Sequence, residues 1–185
     1  MKLNLGCGTR KWPGFVNIDH RMDVRPDRQD DAFLLATFEP NSVDEVVASH
    51  LLEHACFDRT VTALKRWHEV LKPGGILWLA VPNFQLVLGQ HLANLRAGKI
   101  TWEYFNSRIF GNAGVAHVMY GNDKLKEIDG IYRYELAFHR AVFTPAMLIK
   151  LCLEAGFTNV ISVARIPYKS KHSHECCIKA RKDRL

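Results

Sequence analysis

The hydrophobic positions of this chain form short continuous runs instead of a strict alternation with polar residues. Residues 43–49 and 76–81 have continuous apolar centres, which is typical of strands buried on both faces of a parallel sheet. A similar run near the start of the chain ends at Asp19. We expect the last two strands to pair antiparallel at the end of the sheet. The predicted strands are residues 2–5, 15–18, 43–49, 76–81, 160–163 and 175–179.

Helical periodicity is clearest between the third and fourth of these strands. Apolar side chains recur at helical spacing over residues 57–71, and the Lys-Pro-Gly-Gly sequence at 72–75 predicts the end of that helix. The helix and its flanking strands form a β-α-β unit, for which we expect a right-handed crossover. Residues 84–98 can form a second helix. Thr144 followed by Pro145 is typical of the start of a third.

The remaining segments are irregular. The loop at residues 9–14 is too short for a crossover helix, so either that helix is reduced to one turn or the first two strands meet in an unusual way. We expect a loop at 21–31 and either a weak strand or a helical turn at 32–38. Residues 84–143 are interpreted as a lid-like insertion. The whole chain, 1–185, is predicted to be one domain with an α/β fold.

The composition is that of an ordinary globular protein, with 48% apolar and 24% charged residues among 185. A net charge of +6 permits an acidic partner, but the cations are dispersed and cluster only at residues 179–184, so nucleic acid is not the expected partner. No apolar run approaches the roughly 20 residues that span a bilayer. The start of the chain does not resemble a signal peptide, and a cytoplasmic location is therefore expected.

The five cysteines do not have the spacing of a disulfide framework. Cys176 and Cys177 follow two histidines, but two adjacent cysteines cannot readily face one ion from a strand, so a plain strand is favoured and no metal site is predicted. The others are interpreted as small hydrophobic residues in a reducing compartment. They are Cys7, Cys56 and Cys152.

The candidate chemistry begins directly after the first strand. Gly6 and Gly8 form a Gly-x-Gly turn there, and a nucleotide-like ligand lies beyond the carboxyl end of the first strand in many α/β domains. Glycines let the backbone approach such a ligand, because a Cβ atom would collide with it. Dinucleotide folds add a third glycine and an acid about 20 residues on. Here Arg10 stands in place of that glycine and Asp19 comes early, which argues against a nicotinamide cofactor.

Six motifs follow one another in a specific order and spacing. They resemble those of class I S-adenosylmethionine-dependent methyltransferases, with the closest likeness to a small type 11-like branch whose chain begins at the first strand. The resemblance covers most of residues 2–83 and resumes at 139–163. The motifs are Leu3-Asn4-Leu5-Gly6-Cys7-Gly8, Val16-Asn17-Ile18-Asp19, Asn41-Ser42-Val43-Asp44-Glu45-Val46, Ser49-His50-Leu51-Leu52-Glu53-His54, Leu71-Lys72-Pro73-Gly74-Gly75 and Ala155-Gly156-Phe157.

The resemblance implies a Rossmann-like, mostly parallel sheet with a reversed C-terminal hairpin and S-adenosylmethionine as the cofactor. It implies that Asp19 accepts hydrogen bonds from both ribose hydroxyls, and that Asp31 and Ala32, or Asp30 in their place, meet the adenine. Ser49 and His50 match the strand end beneath the transferable methyl. The implied cofactor-binding residues are Asn4, Leu5, Gly6, Cys7, Gly8, Asp19, His20, Asp31, Ala32, Ser49 and His50.

Two positions depart from the family pattern. The family carries an acid where this chain has Asn4, and a glycine where it has Arg10. The loop around the methionine carboxylate of the cofactor must therefore differ. Either Arg10 or Lys11 pairs with that carboxylate, or both are solvated loop charges.

Three histidines are candidates for a general base, because a methyl acceptor with a hydroxyl group must lose a proton. His50 and His54 lie at the end of the predicted strand at 43–49, and His139 precedes the third helix. The predicted function is methyl transfer to a small-molecule or glycan-linked acceptor. The alternatives are a degenerate binding module with the same fold and a nucleic-acid or protein methyltransferase. The oligomeric state does not follow from the sequence.

Overall fold

A computed structural model describes residues 1–102, 104–105, 139–168 and 174–184 of the chain. It contains a seven-stranded sheet with the strand order β3-β2-β1-β4-β5-β7-β6. The strands are β1 (Lys2–Leu5), β2 (Val16–Asp19), β3 (Arg28–Gln29), β4 (Val43–Ser49), β5 (Leu71–Pro82), β6 (Thr158–Val163) and β7 (Glu175–Arg181). The helices are α1 (Phe57–Val70), α2 (Phe84–Arg96) and α3 (Pro145–Glu154), with short 3-10 turns at Met22–Val24 and Leu52–His54.

The first five strands run parallel, and β7 pairs antiparallel with both β5 and β6. The α/β fold and the reversed C-terminal hairpin are thus confirmed. In register, Leu5 lies beside Ile18 and Ala48, so the carboxyl-terminal ends of β1, β2 and β4 lie together along one side of the sheet, called its carboxyl edge below. That edge is where the candidate site lies. Among the described residues, no helix has both the length and the hydropathy needed to cross a membrane.

The two faces of the sheet are covered differently. Val46 of β4 belongs to the large core, in which α1 and α3 pack against the sheet and against each other. The next residue, Val47, points to the opposite face and joins a small cluster there with Ala80, Ile166 and Cys177. Alternation along β4 therefore separates a face covered by α1 and α3 from a face on which the described residues form a smaller cluster.

The connection from β1 to β2, residues 6–15, contains turns and no helix, although the two strands are parallel neighbours. Aromatic side chains take the place of the missing crossover helix. Trp12 and Phe15 contact each other edge-on at 5.5 Å, and both contact Tyr168. The expected reduction of the first helix is therefore complete.

Two local expectations need correction, and one open alternative is decided. The predicted loop at 21–31 contains a 3-10 turn and the edge strand β3, which is too short to carry a hydrophobic pattern. Residues 32–38 begin with a helical turn, in which the backbone N–H of Leu35 donates to the carbonyl oxygen of Asp31 at 2.8 Å, so the helical-turn alternative is confirmed and the strand is not formed. Cys56 is exposed rather than a core residue.

The lid-like insertion can be followed only in part. Its first helix, α2, has one buried residue, Val87. Trp102 beyond it is mostly exposed. Residues 106–138, which contain most of the expected insertion, lie outside the described residues, as does His172.

Candidate functional site

The glycine turn after β1 has left-handed backbone at both glycines, with φ of 61° at Gly6 and 52° at Gly8. A Cβ atom at Gly6 would lie 2.8 Å from Cδ1 of Leu51, so this glycine is required by packing against the segment after β4. A Cβ atom at Gly8 would meet nothing within 4 Å. Of these two glycines, only Gly8 has open space beside it, whereas Gly6 is required by packing within the protein.

Leu5 precedes the first glycine and Cys7 lies between the two. Both side chains face the protein interior. Burial raises the pKa of the Cys7 thiol to about 11, so this group stays protonated and uncharged at neutral pH. A ligand outside the core can therefore contact only the backbone atoms of these two residues.

Asn4 is buried beneath the same loop and holds it in place. Its amide nitrogen donates to the carbonyl oxygen of Arg10 at 3.0 Å and to Oδ1 of Asn17 at 2.9 Å. Oδ1 of Asn17 also accepts from the backbone N–H of Trp12, so both partners of Asn4 are acceptors. An acid, which is ionised at neutral pH, cannot donate to them. The departure from the family pattern at Asn4 thus matches the helix-free path of residues 6–15.

Replacing Asn4 with aspartate, the residue type usual in the family, is expected to destabilise this protein. A buried carboxylate would face two acceptors, at a cost of about 2 kcal/mol or more. We expect the melting temperature to fall by about 4–8 °C, as measured by differential scanning calorimetry. Asn159→Asp makes the same change at an exposed position and is the control for the added charge. An unchanged melting temperature in Asn4→Asp would contradict the donor role of this amide.

Asp19 joins the ends of β1 and β2. Its Oδ2 accepts from the backbone N–H of Gly8 at 2.8 Å, and its Oδ1 accepts from the backbone N–H of Arg21 at 3.0 Å. The side chain is 7% exposed, and His20 Nδ1 lies 3.5 Å from Oδ1. An ionised carboxylate can accept about four hydrogen bonds. Each oxygen of Asp19 therefore retains room for a further donor at the edge of the sheet.

The Asp30–Ala32 segment follows β3 at the same edge. Asp30 accepts from both the backbone N–H and the hydroxyl of Thr37, so its carboxylate is used within the loop. Asp31 accepts from the backbone N–H of Phe33 and lies 3.3 Å from Nη2 of Arg59, with its side chain 38% exposed. Both acids are half-buried, and each carboxylate already has partners among the described residues.

Ala32 is tied to the core through its backbone. Its carbonyl oxygen accepts from Nε1 of Trp67 at 2.8 Å, and Trp67 is completely buried in α1. The position of the Asp31–Ala32 pair is thus set by a tryptophan of the helix-covered face.

The polypeptide leaves β4 at Ser49 and turns sharply at His50, where φ is 53°. The ring of His50 lies between two carboxylates, with Nδ1 at 3.0 Å from Glu53 Oε1 and Nε2 at 2.5 Å from Glu175 Oε1. Both carboxylates are buried. The arrangement fixes the orientation of the imidazole and of Glu53 together.

Glu53 occupies the 3-10 turn after β4, and its backbone holds the chain that leads into α3. Its carbonyl oxygen accepts from the backbone N–H groups of Arg140 and Ala141, at 2.8 and 3.1 Å. This brings His139 against His54, with ring centroids 5.5 Å apart. Glu53 and His139 also line a shallow pocket that is open to solvent. The other lining residues are apolar: Pro82, Phe84, Val87, Ala141, Val142 and Phe143.

The predicted site residues thus fall into two neighbouring groups along the carboxyl edge of the sheet. Gly8, Asp19, His20 and Asp31 lie around β1–β3, and the three candidate histidines lie after β4 and before α3. Arg10 and Lys11 are exposed, and the ammonium of Lys11 contacts the backbone carbonyl of Arg25. The sequence did not single out Glu53 or Glu175 as a candidate for binding or catalysis. Nothing in the sequence indicates that Glu175 lies beside His50.

Comparison with known proteins gives one family and one fold. Residues 8–79 match the model of a family described as a methyltransferase domain, of the type 11 kind. No curated protein matches the chain.

Several solved structures have the same fold. A SAM-dependent methyltransferase from Archaeoglobus fulgidus is 15% identical with a TM-score of 0.61, over 98% of this chain and 85% of that one. A 1,6-didemethyltoxoflavin-N1-methyltransferase from Burkholderia thailandensis, solved with 1,6-didemethyltoxoflavin and S-adenosylhomocysteine, is 17% identical with a TM-score of 0.55, over 98% and 70%. The CurJ carbon methyltransferase is 16% identical with a TM-score of 0.57. The alignment covers 98% of this chain but 48% of CurJ, about half its length.

The strand order, the helix-covered face and the family match at residues 8–79 agree with one another. S-adenosylmethionine is the cofactor that this agreement implies. Residues 8–79 of this chain thus match the type 11 methyltransferase family, and the described chain has the fold of the S-adenosylmethionine-dependent methyltransferases.

Proposed function

We propose that this protein binds S-adenosylmethionine at the carboxyl edge of its sheet and transfers the methyl group to a small-molecule or glycan-linked acceptor. The observation that carries the proposal is the juxtaposition of the Asp19 carboxylate with the open space above Gly8. A neighbour with the same fold, from Burkholderia thailandensis, carries a small-molecule acceptor name and was solved with S-adenosylhomocysteine. That supports the acceptor class.

The residues present fit the cofactor. Asp19 has acceptor capacity left on both oxygens, which suits the two hydroxyls of a ribose. Gly8 leaves the volume of a side chain empty beside it. Asp31 and the backbone of Ala32 lie two and three residues beyond β3, where an adenine amino group and ring nitrogen would find an acceptor and a donor.

When bound, S-adenosylmethionine supplies an electrophilic methyl group, so the cofactor carries the difficult chemistry. The protein contributes binding, orientation and the exclusion of water. Asp19 and Asp31 hold the nucleoside. The turn at Ser49–His50 lies between the nucleoside and the acceptor pocket.

The acceptor is proposed to occupy the pocket beside Glu53 and His139. Its six other lining residues are apolar, which favours an acceptor with an apolar face and a polar reacting group. Of the three candidate base residues, His50 is turned towards Glu53 and Glu175, whereas His54 and His139 lie together. We therefore assign the reacting atom of the acceptor to the side of the pocket near His54 and His139.

The two glycines of the turn are expected to respond differently to alanine. Both changes strain a left-handed backbone, at about 1–2 kcal/mol each. Gly6→Ala also forces Leu51 aside and lowers stability further, and Leu51→Ala in the same chain is expected to restore part of that loss. Gly8→Ala fills the space of the cofactor, so affinity for S-adenosylhomocysteine falls by about tenfold or more. Paired melting curves and calorimetric titrations separate the two effects. Equal affinity losses in both variants would argue against a ligand above Gly8 alone.

The acceptor class is tested by methyl labelling. Purified protein is incubated with methyl-tritiated S-adenosylmethionine and separate cell-extract fractions of low mass, polysaccharide, nucleic acid and protein. We expect label in the low-mass or polysaccharide fraction, and no label with Asp19→Ala. Label confined to protein or nucleic acid would overturn the proposed acceptor. Binding of the cofactor without label in any fraction would favour a module that only holds it.

A further inference from the structure

A cluster of three side chains lies where the turn after β4 meets the chain entering α3. Glu53, His54 and His139 each offer one ligand atom, and these atoms all lie within 4.8 Å of one another. Within the described ranges, this is the one group of three or more such side chains close enough to hold a metal ion. Two backbone hydrogen bonds from residues 140 and 141 to the carbonyl of Glu53 hold the two segments together. The three side chains are therefore brought together by backbone hydrogen bonds between the two segments that carry them.

The carboxylate of Glu53 gives a second, independent observation. Glu53 is 1% exposed, and its Oε2 is buried with no hydrogen-bond partner among the described residues. Its other oxygen, Oε1, is engaged by His50. An uncompensated buried carboxylate oxygen is costly, because the charged form loses its hydration without replacement. An oxygen left in this state next to two imidazoles is the arrangement expected of a cation ligand.

The surroundings orient this ligand in the way metal sites require. Ligating carboxylates and imidazoles are usually fixed by a second layer of hydrogen bonds. Here His50 bridges Glu53 Oε1 and Glu175 Oε1 and so turns Glu53 Oε2 away from itself. The cluster also borders the pocket, since both Glu53 and His139 line it.

The donor set indicates the kind of cation. Two imidazoles and one carboxylate suit zinc, iron or manganese better than magnesium or calcium, which prefer oxygen ligands. Metal–ligand bonds of about 2.1 Å place ligand atoms about 3.4 Å apart around a tetrahedral ion. The present separations of up to 4.8 Å exceed that value by about 1.4 Å at most, so binding an ion requires the side chains to move closer together. Three protein ligands leave at least one coordination position open towards the pocket.

We propose that Glu53, His54 and His139 bind one divalent transition-metal ion, whose open position holds an oxygen atom of the methyl acceptor. The role at the acceptor rests on the proposed function, whereas the binding of the ion does not. In this assignment His54 and His139 are ligands instead of general bases. The acceptor then belongs to the class of molecules with a hydroxyl or carboxylate oxygen able to reach the ion.

The binding test uses the full chain, freed of metal with a chelator and then dialysed. Calorimetric titration with Zn²⁺ and Mn²⁺ is expected to give one site per chain, with much weaker binding of Mg²⁺. Glu53→Gln and His139→Gln are each expected to weaken Zn²⁺ binding by at least about 100-fold, since each removes a direct ligand. Glu39→Gln and His91→Gln are the matched controls outside the cluster and are expected to bind as the unaltered protein does. The titration is repeated with Cys56→Ser, because this exposed thiol lies two residues from His54.

A stability readout guards against variants that fail to fold. Addition of Zn²⁺ is expected to raise the melting temperature of the unaltered protein and not that of Glu53→Gln, because a ligand stabilises only the state that binds it. Without metal, Glu53→Gln is expected to melt close to the unaltered protein, since glutamine keeps an oxygen for His50 and replaces only the carboxylate oxygen that has no partner. Affinity for S-adenosylhomocysteine is expected to be unchanged in Glu53→Gln. This separates the ion site from the cofactor site.

Each outcome bears on one proposal. Absence of Zn²⁺ and Mn²⁺ binding, or equal binding by Glu53→Gln and His139→Gln, overturns the metal site and leaves cofactor binding standing. Metal binding without binding of S-adenosylhomocysteine upholds the site and overturns the proposed function. Methyl transfer that is unaffected by the chelator, with the ion site shown by titration, overturns the role at the acceptor.

Discussion

Replacing Asp19 with alanine is expected to weaken the binding of S-adenosylhomocysteine by about 100-fold. The carboxylate lies at the edge of the sheet with spare acceptor capacity on both oxygens, and two charge-assisted hydrogen bonds to a ribose are together worth about 3 kcal/mol. Isothermal titration calorimetry measures the change directly. Asp19→Asn is expected to lose about tenfold, because an amide keeps one acceptor oxygen.

Asp23→Ala is the control, since this acid follows in the same segment but is in the 3-10 turn. It is expected to bind S-adenosylhomocysteine as the unaltered protein does. Melting curves of the Asp19 variants monitor the lost bonds to Gly8 and Arg21. Full affinity in a folded Asp19→Ala would remove this carboxylate from the cofactor site.

Trp67→Ala is expected to produce the largest loss of stability, about 3–5 kcal/mol. The side chain is completely buried, stacks on Phe33 and donates to the carbonyl of Ala32. The melting temperature is expected to fall by about 10 °C or more in calorimetric scans. Through its hydrogen bond to Ala32, the tryptophan connects the core to the segment that is proposed to contact the adenine.

Trp67→Phe separates packing from that tether. It keeps an aromatic ring in the core but leaves the carbonyl of Ala32 without its donor, at about 1–3 kcal/mol. We expect a smaller fall in melting temperature together with a several-fold loss of cofactor affinity. Trp102→Phe, at a mostly exposed position, is expected to leave the melting temperature unchanged. If Trp67→Phe lost stability but retained full affinity, the tether would have no part in cofactor binding.

The sheet could largely be predicted from the sequence because buried parallel strands carry a local signal. The run that ends at Ser49 has a continuous apolar centre and the run that ends at Leu5 has two leucines, and the observed strands end at the same residues. The edge strand β3 could not be predicted, since it has two residues, both exposed. Its position depends on pairing with β2, which is a tertiary property.

Residues of the candidate site could be predicted only where a short local motif identifies them. Asp19 follows a strand directly, and a strand end points to the crevice. The role of Asn4 depends on the path of a loop that lacks a helix, and the environment of Glu53 depends on Glu175, more than a hundred residues away. Neither relation leaves a pattern in the local sequence.

The central claim is that the crevice beside Gly8 and Asp19 holds the nucleoside of S-adenosylmethionine. A crystal structure of the full chain soaked with S-adenosylhomocysteine tests it most directly. We predict that the two ribose hydroxyls lie within hydrogen-bond distance of the Asp19 carboxylate. The ligand is expected to pass over Gly8, with its adenine beside Asp31 and Ala32. Density for the ligand elsewhere on the protein, or an empty crevice at saturating ligand, would contradict the account.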